Sequence, residues 1–282
     1  MKEEETPLTF ECAGETLMGI LHGAKMPTSG VVMVVGGPQY RIGSHRLYVQ
    51  LARKLAASGV AVLRFDHRGI GDGSGAAPGF ENLHEDIRSA VYVMRQELPS
   101  VKNLVLLGLC DGASAVLLSG QKSKEIRGLV LINPWVRTSA LEARTRFTRY
   151  YTRRLASWGF WRKIAAGRFS FRDSGRSMLG YLRDASAGVV RGTLAKDVGA
   201  FVPRMLAELE ANQGTTLVVL SGHDLVAQEF KELVSTSDRW RKALAQPSVE
   251  VINLPMADHT FSARTEREML ENGLLDWLRK LS

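Results

Sequence analysis

Only two cysteines, Cys12 and Cys110, occur in the 282-residue chain. They lie far apart with no C-x-x-C pair and no Cys/His ligand spacing, which excludes a disulfide framework or structural zinc site and fits a reducing compartment. No stretch of about 18 consecutive apolar residues occurs, so a helical membrane span is not expected. The opening MKEEETP, Met1 to Pro7, has neither the basic segment nor the apolar run of a cleaved secretory signal. The sequence also has no internal repeat and no low-complexity tract. What remains is 45% hydrophobic and 23% charged, the make-up of an ordinary globular protein with one large core.

The net charge of +8 invites a nucleic-acid reading, but its distribution argues otherwise. The stretch from Arg137 to Arg204 holds 15 Lys and Arg against 4 Asp and Glu, which leaves the rest of the chain net acidic. A basicity so local does not require nucleic acid as a partner.

Short β-branched runs alternate with longer amphipathic ones. Val31 to Val35, Val60 to Phe65, Leu104 to Gly108, Leu129 to Ile132, Leu217 to Leu220 and Val249 to Leu254 read as buried strands. Tyr48 to Ala57, Leu83 to Leu98, Ala113 to Ser119 and Thr265 to Leu281 have helical spacing. This alternation predicts a mostly parallel α/β sheet wrapped by helices, because parallel strands need crossovers. Leu8 to Cys12 and Thr16 to Leu21, parted by Ala13, Gly14 and Glu15, predict an antiparallel hairpin at the sheet edge. The pattern breaks after Pro134 and resumes at Thr215. The reading is a core of residues 1–135 and 200–282, with 136–199 an inserted helical lid over the carboxyl ends of the strands.

Gly108-Leu109-Cys110-Asp111-Gly112-Ala113 follows a strand and opens a helix, which is the setting of the G-x-S-x-G nucleophile elbow, here with Cys in the Ser position. The flanking glycines are needed because the nucleophile sits on a strained turn crossed closely by neighbouring backbone. A buried structural Cys beside a tight turn is the competing reading. A thiolate is the reactive form of Cys, and a helix N-terminus with a nearby His favours it. On this elbow the partners follow in the order nucleophile, acid, His, each after a later strand. Asp224 follows Leu217 to Leu220, and His259 follows Val249 to Leu254. They are the candidate acid and base, preferred to their neighbours His223 and Asp258, which do not lie on suitably separate loops. The oxyanion hole is expected from the backbone N–H groups of Asp111 and of Gly37 in Gly36-Gly37-Pro38-Gln39, since Pro38 has no N–H. The same glycines would equally suit a plain tight turn. Gln39 and Arg41 are candidate substrate contacts. The Gly-rich run from Asp66 to Gly75 lacks the Lys-Ser/Thr ending of a phosphate-binding loop.

The Asp66-x-Arg68-Gly69-x-Gly71-x-x-Ser74 run, the Gly-Gly-Pro loop, the elbow, Asp224 and His259 together resemble the α/β-hydrolase superfamily over both halves of the chain outside the lid. More narrowly, Val35-Gly36-Gly37-Pro38-Gln39-Tyr40-Arg41-x-Gly43-Ser44-His45-Arg46, with Leu63-Arg64-Phe65-Asp66 and the elbow, resembles the exosortase A system-associated hydrolases. That resemblance implies an α/β-hydrolase fold and a cytoplasmic bacterial hydrolase, found beside exopolysaccharide and protein-sorting genes. The Cys nucleophile is also similar to that of dienelactone hydrolase, a smaller enzyme without the long lid.

Within the lid stretch, Arg144, Arg146, Arg149, Arg153, Arg154 and Arg162 are interleaved with Phe147, Tyr150, Tyr151, Trp158, Phe160 and Trp161. A solvated helix face with its aromatics buried on the body is one explanation. Recognition of an anionic group on a lipid, sugar or acyl carrier is another, with Arg146, Arg149, Trp158 and Trp161 as contacts. Contact with an anionic membrane surface is a third. The leading function is hydrolysis of an ester or thioester through an acyl-Cys110 intermediate. An acyltransferase with the same triad and a non-catalytic binding protein of the same fold are the alternatives. Nothing in the sequence calls for a metal or an organic cofactor.

Overall fold

The computed structural model of the chain describes residues 5–37, 39–120, 125–136 and 201–281. The expected lid lies outside these residues except for Val136, and with it Arg146, Arg149, Trp158 and Trp161.

Two strands, β1 (Glu5–Cys12) and β2 (Glu15–His22), form the expected hairpin, in register from Glu5 opposite His22 to Cys12 opposite Glu15. Ala13 and Gly14 both take positive φ, at 52° and 81°, the backbone that a two-residue hairpin turn demands. The following strands are β3 (Ser29–Val34), β4 (Ala61–Asp66), β5 (Asn103–Leu109), β6 (Ile126–Ile132), β7 (Thr215–His223) and β8 (Val249–Asp258). They join one eight-stranded sheet in the order β1-β2-β4-β3-β5-β6-β7-β8. From β4 to β8 every neighbouring pair is parallel, and only β1 and β2 run against their neighbours.

Helices α1 (Leu47–Ala57), α2 (His84–Glu97), α3 (Asp111–Gly120) and α7 (Arg264–Arg279) coincide with the helical spacing in the sequence. Between β6 and α7 stand α4 (Phe201–Ala211), α5 (Leu225–Thr236) and α6 (Asp238–Leu244), which the apolar pattern alone does not announce. Two of them begin at side-chain caps. Asp224 accepts from the amides of Val226 and Ala227, and Ser237 accepts from that of Trp240, satisfying donors that a helix start leaves open.

Alternate residues of each central strand enter opposite cores. Val32, Val34, Leu104, Leu106, Leu129 and Leu131 pack in one cluster with residues of α2, α3 and α4. Val31, Met33, Val105, Leu107, Val130 and Ile132 pack in the other with α1 and α7, including Leu51, Leu274 and Trp277. With both faces covered, the strands are apolar throughout rather than alternating. The chain leaves β3 toward β4 on one side and returns to β5 on the other. Such a reversal opens a crevice at the carboxyl ends of the strands, and the loops after β3 and β5 meet there.

Candidate active site

Cys110 links β5 to α3 and holds φ at 61°, a left-handed conformation that costs a non-glycine residue of order 1–3 kcal/mol unless its surroundings impose it. The surroundings do impose it. The Cys110 N–H donates to the Ile132 carbonyl at 2.9 Å, and the Cys110 carbonyl accepts from Ala113, Ser114 and Trp135. The glycines on either side answer a packing requirement. A Cβ on Gly108 would stand 2.3 Å from the Gly112 carbonyl oxygen, and one on Gly112 would stand 2.7 Å from that of Val34. The thiol, half-buried, opens into a cavity of about 380 Å³ lined by Gly36, Gly37, Gln39, Tyr48, Phe80 and Trp135 with Leu109, Cys110, Asp111 and His259.

His259 comes from the loop after β8. Its Nδ1 lies 2.9 Å from Asp224 Oδ2 and the ring hydrogen-bonds the Cys110 sulfur. These bonds push the imidazole pKa up to about 10, Asp224 contributing most and Cys110 next, against the burial that opposes the charge. Asp224 is buried, and its second task is to cap α5. Three side chains separated by 114 and 35 positions therefore form one chain of contacts from sulfur to carboxylate. Asp258 instead organises its own turn, accepting from the amides of Thr260 and Ser262 and from the Ser262 hydroxyl. His223 is exposed.

The two backbone groups expected to face an oxyanion lie at the same cavity. Asp111 is the first residue of α3, so its N–H has no acceptor within the helix. Gly37, at φ 59°, donates its N–H at 2.8 Å to Oδ2 of the Asp111 side chain. Gln39 lines the cavity and accepts from the Ser44 amide.

Arg41 stands elsewhere. Its guanidinium pairs with Asp66 and Asp72 while its amide donates to Asp66 Oδ1, so the side chain braces the loop after β4. The whole Asp66-to-Ser74 motif shares this structural role. Asp66 accepts further from the Asp72 amide. Arg68 forks onto Asp86 through Nε and Nη2, and the Ser74 hydroxyl donates to Glu15. Gly71 is obligatory because a Cβ there would meet the Asp66 carboxylate at 2.4 Å.

Several residues around the cavity escape sequence reasoning. Asn133, buried and at φ 46°, donates to the Ser221 hydroxyl and to the His259 carbonyl and accepts from the Ser221 amide, tying the ends of β6 and β7 to the histidine loop. Its signal is the Asn-Pro pair that ends a strand, a turn marker. Tyr48 donates to the Val34 carbonyl and presents its ring to the cavity with Phe80 and Trp135, which carry no sequence mark distinguishing them from core aromatics. Among the described residues, no group of three or more His, Cys, Asp or Glu could hold a metal ion, and no helix is long and apolar enough to cross a membrane.

A family model described as "Serine aminopeptidase, S33" matches residues 27–259. The chain belongs to this family and is an α/β-fold hydrolase. Solved structures share its fold at low identity. The esterase Pf2001 of Pyrococcus furiosus superimposes with a TM-score of 0.66 at 15% identity, covering 99% of this chain and 93% of that one. Est1E of Butyrivibrio proteoclasticus, solved with ferulic acid, gives 0.63 at 15%, covering 97% and 98%. The esterase domain of a Rhodothermus marinus protein gives 0.62 at 17%, covering 99% and 100%. No curated protein matches the sequence.

Proposed function

We propose that this hydrolase cleaves ester or thioester bonds with Cys110 as nucleophile, His259 as acid and base, and Asp224 as the residue that orients His259. The observation carrying the proposal is the unbroken contact from the Cys110 sulfur through the imidazole to Asp224 Oδ2, on a cysteine held at positive φ beside an apolar cavity. The esterase activities named for the structural relatives point the same way.

The raised imidazole pKa favours the imidazolium form of His259 beside the Cys110 sulfur. In the first step the sulfur lone pair forms a C–S bond to the acyl carbon, and the carbonyl π electrons move to oxygen. There the N–H groups of Gly37 and Asp111 receive the charge. Collapse expels the alcohol or thiol, which takes the proton from His259 Nε2. Water then gives a proton to the same nitrogen as its oxygen attacks the acyl-Cys110 carbon, and the thiolate leaves. Asp224 keeps the proton-bearing Nδ1 turned toward itself throughout, so that Nε2 faces the reaction.

The substrate in this reading is a small or carrier-linked acyl compound. An anionic portion of such a substrate is what Arg146 and Arg149, which lie outside the described residues, would recognise, in line with the resemblance to the exosortase-associated hydrolases of bacterial cytoplasm. The test is hydrolysis of short- and long-chain p-nitrophenyl esters and thioesters by wild type and Cys110→Ala, with intact mass recorded during turnover. An acyl adduct on the wild type and loss of turnover in the variant are expected. Turnover that survives the substitution overturns the assignment.

A further inference from the structure

The turn that follows β6 touches both partners of the sulfur–imidazole contact. Ile132 accepts the Cys110 N–H at 2.9 Å, and Trp135 donates its N–H to the Cys110 carbonyl at 3.2 Å. The Ser114 hydroxyl, in the first turn of α3, donates to the Trp135 carbonyl at 2.7 Å. One four-residue segment, Ile132-Asn133-Pro134-Trp135, therefore clamps the backbone of the nucleophile from both sides. Asn133, between the two clamps, binds the base instead. Its Nδ2 donates to the Ser221 hydroxyl at 2.9 Å and to the His259 carbonyl at 3.4 Å, while its Oδ1 accepts the Ser221 N–H at 2.8 Å.

The orientation of that amide is dictated by its partners. The Ser221 N–H can only donate and the His259 carbonyl can only accept, so Oδ1 faces the β7 backbone and Nδ2 faces the histidine loop. Both Nδ2 protons are engaged, and Asn133 and Ser221 are fully buried, where bulk water offers no replacement partner. The backbone is held just as firmly. A residue before proline favours extended backbone, yet Asn133 keeps φ at 46° with its N–H bonded to the Val219 carbonyl at 2.9 Å. Within the histidine loop, Asp258 gathers the amides of Thr260 and Ser262, which shapes the loop without tying it to Cys110. Asn133 supplies a tie from outside the loop, on the same turn that holds the nucleophile. A misplacement of about 1 Å between reacting groups costs on the order of 10²-fold in rate, so a shared mount for both groups bears directly on turnover.

Resting on the reading of Cys110 as nucleophile, we propose that Asn133 is a positioning residue for the reaction. Its side chain holds the His259 backbone against the turn that fixes Cys110, and thereby sets the contact between sulfur and imidazole. Ser221 has the lesser part of fixing the Asn133 amide, since its own side chain does not bond the histidine loop.

The experiment compares wild type, Asn133→Gly and Ser221→Ala. Glycine accepts the positive φ without strain and removes the whole amide; Ser221→Ala removes one acceptor and leaves the bond to His259. Hydrolysis of a p-nitrophenyl ester is measured with acyl adducts recorded by intact mass, and the His259 ring is titrated by NMR, its signal assigned by its loss in His259→Gln. Asn133→Gly is expected to lower kcat by about 10- to 100-fold with KM within about twofold. Its imidazole pKa, held up at about 10 by Asp224 and Cys110, should fall toward the ordinary value of about 6.5. Ser221→Ala should show a fall in kcat at least about fivefold smaller. Thermal unfolding establishes that each variant is folded. If Asn133→Gly does not fold, Asn133→Asp decides, because it keeps the acceptor and the volume but has at most one proton for two acceptors. An unchanged kcat and titration in the folded Asn133 variant, or an equal fall in Ser221→Ala, overturns the positioning role. Failure of the ester to acylate wild-type Cys110 overturns the nucleophile reading instead, and the imidazole titration then still decides whether Asn133 holds His259 in place.

Discussion

Two glycine-rich turns stand at the carboxyl ends of the strands that flank β3 and use their glycines for opposite ends. The turn after β5 holds Cys110 at φ 61° and aims a thiol and backbone donors into a cavity. The turn after β4 closes upon itself: Asp66, Arg68, Asp72 and Ser74 bond to Arg41, Asp86 and Glu15, leaving its charges paired. The contrast separates chemistry from scaffolding. A strained backbone pointing reactive groups into space marks the first, whereas saturated polar contacts mark the second. By that criterion Arg41 belongs to the scaffold although it adjoins the Gly36-Gly37 loop in sequence.

The comparison breaks most sharply at Asp224. Asp224→Asn keeps one of the two acceptors that cap α5 and removes the charge facing His259, so kcat should fall by about 10³- to 10⁴-fold while the protein stays folded with only a lowered melting temperature. A parallel collapse of stability would place Asp224 with the scaffold. On the other loop, Asp66→Asn should show the reverse. Loss of the charge opposite Arg41 is expected to cost about 3 kcal/mol of unfolding free energy, read by urea denaturation, with turnover per folded molecule nearly unchanged. A large drop in kcat would link the loop to catalysis.

His22 extends the scaffold's network and carries a pH signature. It is fully buried, receives the Arg64 Nε–H at 2.9 Å, and burial and then Arg64 push its pKa down to about 4. The unfolded chain therefore binds this proton near pH 6.5 while the native protein refuses it until about pH 4. Stability from this group is present above pH 6.5 and is lost as pH falls toward 4, by at most about 3 kcal/mol. His22→Gln should flatten that limb of the stability profile; an identical limb in the variant would move its origin to the carboxylates. The smallest effect is expected at Ser74→Ala, which removes the bonds to Glu15 and the Thr16 amide for about 1 kcal/mol.

Legibility in the sequence followed the range of the interactions. The strand at Leu104 to Gly108, the elbow and the hairpin around Gly14 were readable because period, turn chemistry and glycine spacing act within a few residues. The helices α5 and α6 were not, since each is short and starts from a cap that also reads as a loop residue. Asp224 shows both sides of the matter: its position after β7 named it as the acid, yet its capping of α5 emerges only from the geometry.

The sequence by itself determined the parallel α/β order and the succession Cys110, Asp224, His259, because alternating hydrophobicity and the elbow's steric demands are local. Only the tertiary structure decided which polar groups meet. Gly37 and Asp111 lie 74 residues apart, Arg41 and Asp66 25, and Asn133 and Ser221 88. These partnerships depend on the strand order β4-β3-β5-β6-β7, which brings distant loop ends to one rim of the sheet. A carboxylate beside a nucleophile is visible in one dimension, but the amide it occupies is chosen by the fold.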